Sequence, residues 1–159
     1  MIRLLDIQDY DFWIELAEEV EPLFGPMIDS KEFQDGIKDC IQKNNAFGIE
    51  NEQGNLTGII ALDRVKNEIS WLAVAKNYRG YNYGEKLIKK AIEELEDNGD
   101  IYVQTFSGKV NEGKNARNIY ERNGFVDFKD AGKNLADVET VIMIRKKTNT
   151  TGVAESRPK

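Results

Sequence analysis

The chain has no histidine and a single cysteine among its 159 residues. Without histidine, Ser-His-Asp and Cys-His nucleophilic catalysis are excluded, and the commonest metal ligand is missing. One cysteine cannot close an internal disulfide and, with no histidine beside it, cannot complete a zinc site, so no metal is expected. Acid–base work must therefore fall to carboxylates, tyrosine, lysine or water. Cys40 falls on an apolar helix face with Phe33 and Ile37, where a small core residue belongs. A lone thiol fits a reducing, cytoplasmic compartment. No apolar run approaches the ~20 residues of a membrane-spanning helix. The opening Met1-Ile2-Arg3-Leu4-Leu5-Asp6 is too short and too quickly acidic for a secretory signal.

An apolar fraction of 40% and a charged fraction of 31% predict one soluble globular domain. The net charge of −6 is unevenly spread. Residues 145–159 hold five cations against one acid, which leaves the body near −10. An acidic body argues against non-specific nucleic-acid binding and is compatible with a cationic substrate. The stretch from Thr148 onward has no apolar periodicity, so residues 148–159 are expected to be a disordered tail after a domain of residues 1–147.

Periodicity gives the element order. Ile2–Asp6 reads as a first strand, Tyr10–Val20 as a helix capped by Asp9, and Ser30–Lys43 as a second helix. Pro22, Gly25 and Pro26 are expected to stop the first helix. Ala46–Glu50 and Leu56–Leu62 flank the turn residues Asn51 to Asn55, and Glu68–Val74 continues the meander. Gly84–Asp97 is a third helix with Leu87, Ile88, Ala91, Ile92 and Leu95 inward. Ile101–Phe106 follows it as a strand expected to run parallel to Glu68–Val74. A short helix, Asn115–Asn123, and strands from Phe125-Val126 and over Val138–Ile144 complete an α+β chain with a mixed sheet.

The strand Glu68–Val74 leads through Arg79-Gly80-Tyr81-Asn82-Tyr83-Gly84 into a helix. Such a junction offers free backbone N–H groups and a partial positive charge, both of which favour an anion. Alone, the pattern is shared with several nucleotide-binding folds, and a nucleotide-binding protein is one reading of it. Gly108-Lys109 and Gly113-Lys114 do not complete a P-loop.

Two segments together resemble the GNAT superfamily of acetyl-CoA-dependent N-acetyltransferases. Arg79 to Gly84 is similar to the family's cofactor motif Arg/Gln-x-x-Gly-x-Gly/Ala, with Asn82 at the central glycine. Asn tolerates positive φ better than other non-glycine residues, so the loop can keep its shape. Ala116 to Phe125 looks like the family's Ala-x-x-Leu-Tyr-x-x-x-Gly-Phe helix, position for position. The Asn that the family often places seven residues before that Tyr is replaced by Gly113, with Asn111 and Asn115 nearby.

The resemblance implies a GNAT-like, mostly antiparallel twisted sheet of six to seven strands, about four helices, and a splay at the central parallel pair. It implies acetyl-CoA as co-substrate and a primary amine of a small molecule or peptide as acceptor, with a homodimer as the family precedent. Leu72, Ala73 and Val74 would pair with the pantetheine arm. Arg79, Gly80, Tyr81, Asn82, Tyr83, Gly84 and Asn115 would hold the rest of the cofactor. Tyr120 matches the family's proton donor to the leaving thiolate. Glu68 matches the catalytic glutamate of histone-acetylating members, with Glu50 and Asp63 as rivals. An alkylammonium has pKa ~10.4 and must lose a proton before it attacks, which is the task a carboxylate would serve. Phe24 to Met27, Trp13, Phe33 and Trp71 are candidate walls of the acceptor site or core residues. A non-catalytic acyl-CoA-binding or sensing module on the same fold is the competing reading.

Overall fold

In the computed structural model, which describes residues 1–147, four helices flank one seven-stranded sheet. The tail expected over residues 148–159 lies outside the described residues. The strands are β1 (Ile2–Leu4), β2 (Ala46–Glu50), β3 (Leu56–Asp63), β4 (Glu68–Val74), β5 (Ile101–Phe106), β6 (Val126–Lys133) and β7 (Glu139–Arg145). The helices are α1 (Tyr10–Phe24), α2 (Lys31–Gln42), α3 (Tyr83–Leu95) and α4 (Lys114–Arg122). Across the sheet the order is β1-β2-β3-β4-β5-β7-β6, and only β4 and β5 run parallel.

Local chemistry explains most boundaries. Asn51 Oδ1 accepts from the N–H groups of Gln53 and Asn55, which closes the β2–β3 hairpin. Asp63 Oδ1 does the same for Val65 and Lys66 between β3 and β4. Ser30 accepts from the Phe33 N–H at 3.2 Å and starts α2. Two sequence expectations are corrected in α1. It does not stop near Val20 but continues through Pro22 to Phe24, ending where Gly25 takes φ 105°. A proline near the C-terminal end removes a single N–H donor, and the packing of Phe24 on Trp71 and Phe106 outweighs that loss. Asp9 does not cap the helix with its side chain, because its carboxylate binds Arg3 at 2.8 and 3.0 Å.

The sheet separates two cores. On one face, Leu87, Ile88, Ala91, Ile92 and Leu95 of α3 pack on Ile60, Ile69 and Val103. On the other, Trp13, Leu16 and Val20 of α1 and Ile37 and Ile41 of α2 pack on Ile59, Ala61 and Ala73. Neighbouring β3 residues divide between these cores because successive strand side chains point to opposite faces. Cys40 joins the second core, and burial pushes its thiol up to about 11.

The centre of the sheet is only partly joined. β4 pairs with β3 as far as Val74 opposite Gly58, but with β5 only at Glu68–Tyr102 and Ile69–Val103. Beyond Ile69 the two parallel strands part. The joined end is fastened by buried Asn67, whose Nδ2 donates to the carbonyls of Leu95 and Asp100 at 3.2 and 2.8 Å.

Candidate active site

The register with β3 decides which groups of β4 face the opening. The Ala75 N–H donates to the Thr57 carbonyl at 2.8 Å. With the alternation of an antiparallel ladder, Ala73 also bonds toward β3, while Leu72 and Val74 direct their backbone groups away from it, at the gap beside β5. Arg79 Nε occupies the Val74 carbonyl at 3.1 Å. The N–H groups of Leu72 and Val74 and the Leu72 carbonyl are left facing the gap.

A bulge sets the side chains around them. Ala61 lies opposite Trp71 and Leu62 opposite Ile69, so Ser70 is an extra residue in β4. It inverts the alternation: Ile69 and Leu72 join the α3 core, whereas Trp71 and Ala73 join the α1–α2 core. The gap therefore becomes a cleft of about 250 Å³ that reaches both faces of the sheet. Leu72, Ala116 and Tyr120 line it from one side, and Phe24, Trp71 and Phe106 from the other. Gln104, Thr105, Asn134 and Thr140 supply neutral polar atoms, and no charged residue lines it among the described residues.

The aromatic side is continuous. Trp71 stands 5.6 Å from Trp13 and 6.2 Å from Phe24, and Phe24 stands 5.9 Å from Phe106, measured between ring centroids. The loop after α1 is held by Glu21, whose carboxylate accepts from the N–H groups of Met27 and Ile28 at 2.7 and 2.9 Å. The β6–β7 turn closes on it: Asn134 Nδ2 donates to the Leu23 carbonyl at 2.9 Å. A Cβ on Gly25 would meet Leu135 Cβ at 2.5 Å, so glycine permits this approach as well as the positive φ.

Tyr120 lies at the opposite wall, 3% exposed. Gly124 at φ 94° ends α4 and turns fully buried Phe125 back onto the Tyr120 ring, edge to face at 5.4 Å. The Tyr120 hydroxyl has no hydrogen-bond partner among the described residues, and burial raises its phenol above the ordinary range. The phenol is therefore protonated across the whole physiological pH range.

At the mouth, Gly80 takes φ 90° and Asn82 takes φ 67°. Asn82 is the N-cap of α3 in the left-handed region, and no side chain caps the first turn. Around Gly84 an added Cβ would meet only Val74 Cγ2, at 3.8 Å, so nothing in the protein fills the space a side chain would take. Tyr81 is exposed and rests against Tyr83, which packs on the α3 core. Arg79 is engaged with Val74 and stands 3.8 Å from Glu19.

The carboxylates are placed differently. Glu68 is half-buried at the joined end of β4, opposite Tyr102, and does not line the cleft. Burial, with a smaller push from Asp63, raises its carboxyl pKa. Glu50 is held by Arg3 at 2.7 Å, and Asp63 is spent on its turn. Asn115 is exposed in the first turn of α4, outside the cleft lining. Gly113 cannot carry a side chain, because a Cβ there would overlap Phe106. Sequence reasoning did not single out Ser70, Gln104, Thr105, Phe106, Asn134 or Thr140. Their role depends on a bulge and on a contact between residues 111 positions apart, which leave no local signal.

A family model described as an acetyltransferase (GNAT) domain matches residues 15–147. The chain belongs to the GNAT family. Its fold matches that of a chain in the crystal structure of the NatC complex bound to Gag peptide and CoA, with 22% identity and a TM-score of 0.74 over 93% of this chain and 98% of that one. Ribosomal-protein-alanine N-acetyltransferase from Brucella melitensis gives 14% identity and a TM-score of 0.73 over 92% and 99%. Spermidine N-acetyltransferase from Vibrio cholerae, solved with CoA and spermine, gives 19% identity and 0.69 over 92% and 95%. No curated protein sequence matches. The chain's two departures from GNAT motifs have local causes: Asn82 adopts the glycine-like φ, and Phe106 occupies the space beside Gly113.

Proposed function

We propose that the chain is an N-acetyltransferase. It moves the acetyl group of acetyl-CoA to a primary amine of a small molecule or peptide, directly, in a ternary complex. The observation that carries this reading is the open backbone edge at Leu72 and Val74, leading into an uncharged cleft that ends at the unpartnered Tyr120 hydroxyl.

The residues fit coenzyme A. Its amides complement the open N–H groups of Leu72 and Val74 and the open Leu72 carbonyl. The backbone from Arg79 through Gly80, Tyr81, Asn82 and Tyr83 to Gly84 presents the uncapped N-terminus of α3 to a pyrophosphate, and the free space at Gly84 admits it. Asn115, exposed in the first turn of α4 and outside the cleft lining, would add an amide toward the outer part of the cofactor. The co-substrate supplies an activated thioester. Tyr120 donates a proton to the departing sulfur. A backbone N–H of Leu72 or Val74 polarises the carbonyl under attack. Glu68, held away from the cleft, acts on the amine through water. Cys40 takes no part, since its thiol is pushed up to about 11 and lies in the α1–α2 core. Orientation of two bound reactants supplies much of the rate. A single domain over residues 1–147, a homodimer and a cytoplasmic location belong to the same proposal. They rest on the resemblance and on the lone cysteine. Among the described residues no helix is long and apolar enough to cross a membrane.

The test is a thermal-shift panel with acetyl-CoA, CoA, ATP and NAD, followed by thiol release with amine acceptors. A ligand at 100 times its Kd stabilises by about 2.7 kcal/mol, which is easily read. Stabilisation by both CoA species and thiol release that depends on an amine are expected. A shift with ATP or NAD alone refutes the reading. CoA binding without turnover on any amine supports the sensing module instead.

A further inference from the structure

The cleft carries information about the acceptor. We propose that the acceptor is the α-amino group of a peptide whose first side chain is apolar, and that polyamines, lysine side chains and free amino acids are poor substrates. This rests on the acetyltransferase reading above and narrows it.

The first observation is neutrality. None of the residues lining the cleft is charged. β5 has no carboxylate, and the one on β4, Glu68, sits at the joined end. A polyamine or aminoglycoside would bring further cations next to the reacting amine, and each would be desolvated without a partner. A free amino acid would bring a carboxylate with no Arg or Lys to meet it. A peptide N-terminus brings a neutral amide in the same place.

The second observation is the missing contact base. A lysine-type amine has pKa ~10.4 and a terminal α-amine ~7.7–8.0, so near pH 7.5 the free-base fraction of the α-amine is roughly 200-fold larger. The only ionisable residue lining the cleft is the neutral acid Tyr120, so no base touches the amine, and Glu68, which reaches it only through water, has less to remove from an α-ammonium than from a lysine-type one.

The third observation is the wall itself. Phe24, Trp71 and Phe106 form a joined aromatic surface on the face opposite Tyr120. The contact of Asn134 with Leu23 bridges that end of the opening. Such a wall favours an apolar side chain beside the amine. At about 250 Å³ the cleft lies just under the ~300–1,000 Å³ of common small-molecule sites.

The experiment compares kcat/KM by thiol release with the full chain and saturating acetyl-CoA. Acceptors are hexapeptides that differ only in a first leucine, aspartate or lysine, an N-terminally blocked hexapeptide with one internal lysine, spermidine, and phenethylamine. The leucine-first peptide should exceed the aspartate-first peptide by at least about tenfold, the scale of a misplaced group in an apolar pocket. It should exceed spermidine, phenethylamine and the blocked lysine peptide by about 100-fold or more. Spermidine or the blocked peptide as the better acceptor overturns the inference, and so does CoA binding with no turnover of any peptide. Failure to bind CoA overturns the acetyltransferase reading itself, which the thermal-shift panel reports separately. Gln104→Glu places a carboxylate in the lining at an exposed position. It should move the spermidine-to-peptide ratio toward spermidine by about tenfold or more, and an unchanged ratio would overturn neutrality as the cause of the preference.

Discussion

Replacing Tyr120 with phenylalanine removes one oxygen and leaves the ring where it is. The ring is the structural part: it packs edge to face on Phe125 and belongs to the α3 core. The hydroxyl makes no hydrogen bond among the described residues, and Tyr120 lines the open cleft. With no protein partner to lose, its removal should change stability by no more than about 0.5 kcal/mol. At this chain length that is at most about 1–2 °C in Tm. Catalysis should fall steeply. Loss of a positioned proton donor lowers kcat by about 10²–10⁴, or some 3–5 kcal/mol of barrier, with little change in the KM for acetyl-CoA. Differential scanning calorimetry and steady-state thiol release on the same preparation read both numbers. The wild-type rate should also hold as pH rises to 9, because burial keeps the phenol protonated above its ordinary range. The same shift makes stability fall above about pH 10, where the unfolded chain loses the phenolic proton first. A Tyr120→Phe enzyme with unchanged kcat would refute the role of the hydroxyl. A variant several degrees less stable would refute the claim that the hydroxyl is unpaired.

Asn82→Ala places an ordinary Cβ at φ 67° and should cost about 1 kcal/mol, whereas Asn82→Gly should be nearly neutral; urea unfolding separates the two. Gly113→Ala should destabilise by about 1–3 kcal/mol, since the new methyl overlaps Phe106, and should lower activity because Phe106 also lines the cleft. Glu68→Gln should raise Tm at pH 7. Burial lifts the Glu68 pKa in the folded state, so its charged form weakens the fold above the ordinary carboxylate range, and the gain should vanish on acidification below about pH 4. If Glu68 also serves as the base through water, the same variant loses turnover; a stable variant with full activity removes it from the mechanism.

The strands with clean alternation and the helices with strong apolar stripes were legible in the sequence. β2, β4 and β5 fall where periodicity puts them, and all five predicted α3 core positions are buried. Helix ends were less legible, because α1 passes Pro22 on the strength of tertiary packing by Phe24. The shape of the Arg79–Gly84 loop and the turn that follows Tyr120 were visible because short-range backbone demands, a left-handed residue at Asn82 and a turn at Gly124, leave a mark in residue type. The lining of the cleft left no such mark. Ser70 becomes a bulge only against β3, and Asn134 reaches Leu23 only once the sheet is complete. Glu68 is read from its place in the strand, yet which end of β4 stays joined to β5 is a property of the whole sheet.

Seen mechanically, the sheet is two plates sharing a short weld. β1–β4 make one plate and β5–β7 the other, and among the described residues strand pairing joins them at two register positions, beside the clamp formed by Asn67. The outer rims offer little to an added strand: β1 has three residues and β6 is broken by two register shifts. The vacant strand backbone at Leu72 and Val74 is instead enclosed within the molecule. Whatever lies along it bridges the plates, so occupancy should be felt as stiffness far from the point of contact. Amide exchange at Leu72 and Val74 and along β5 should slow together on binding, and in that sense the ligand behaves as a temporary eighth strand.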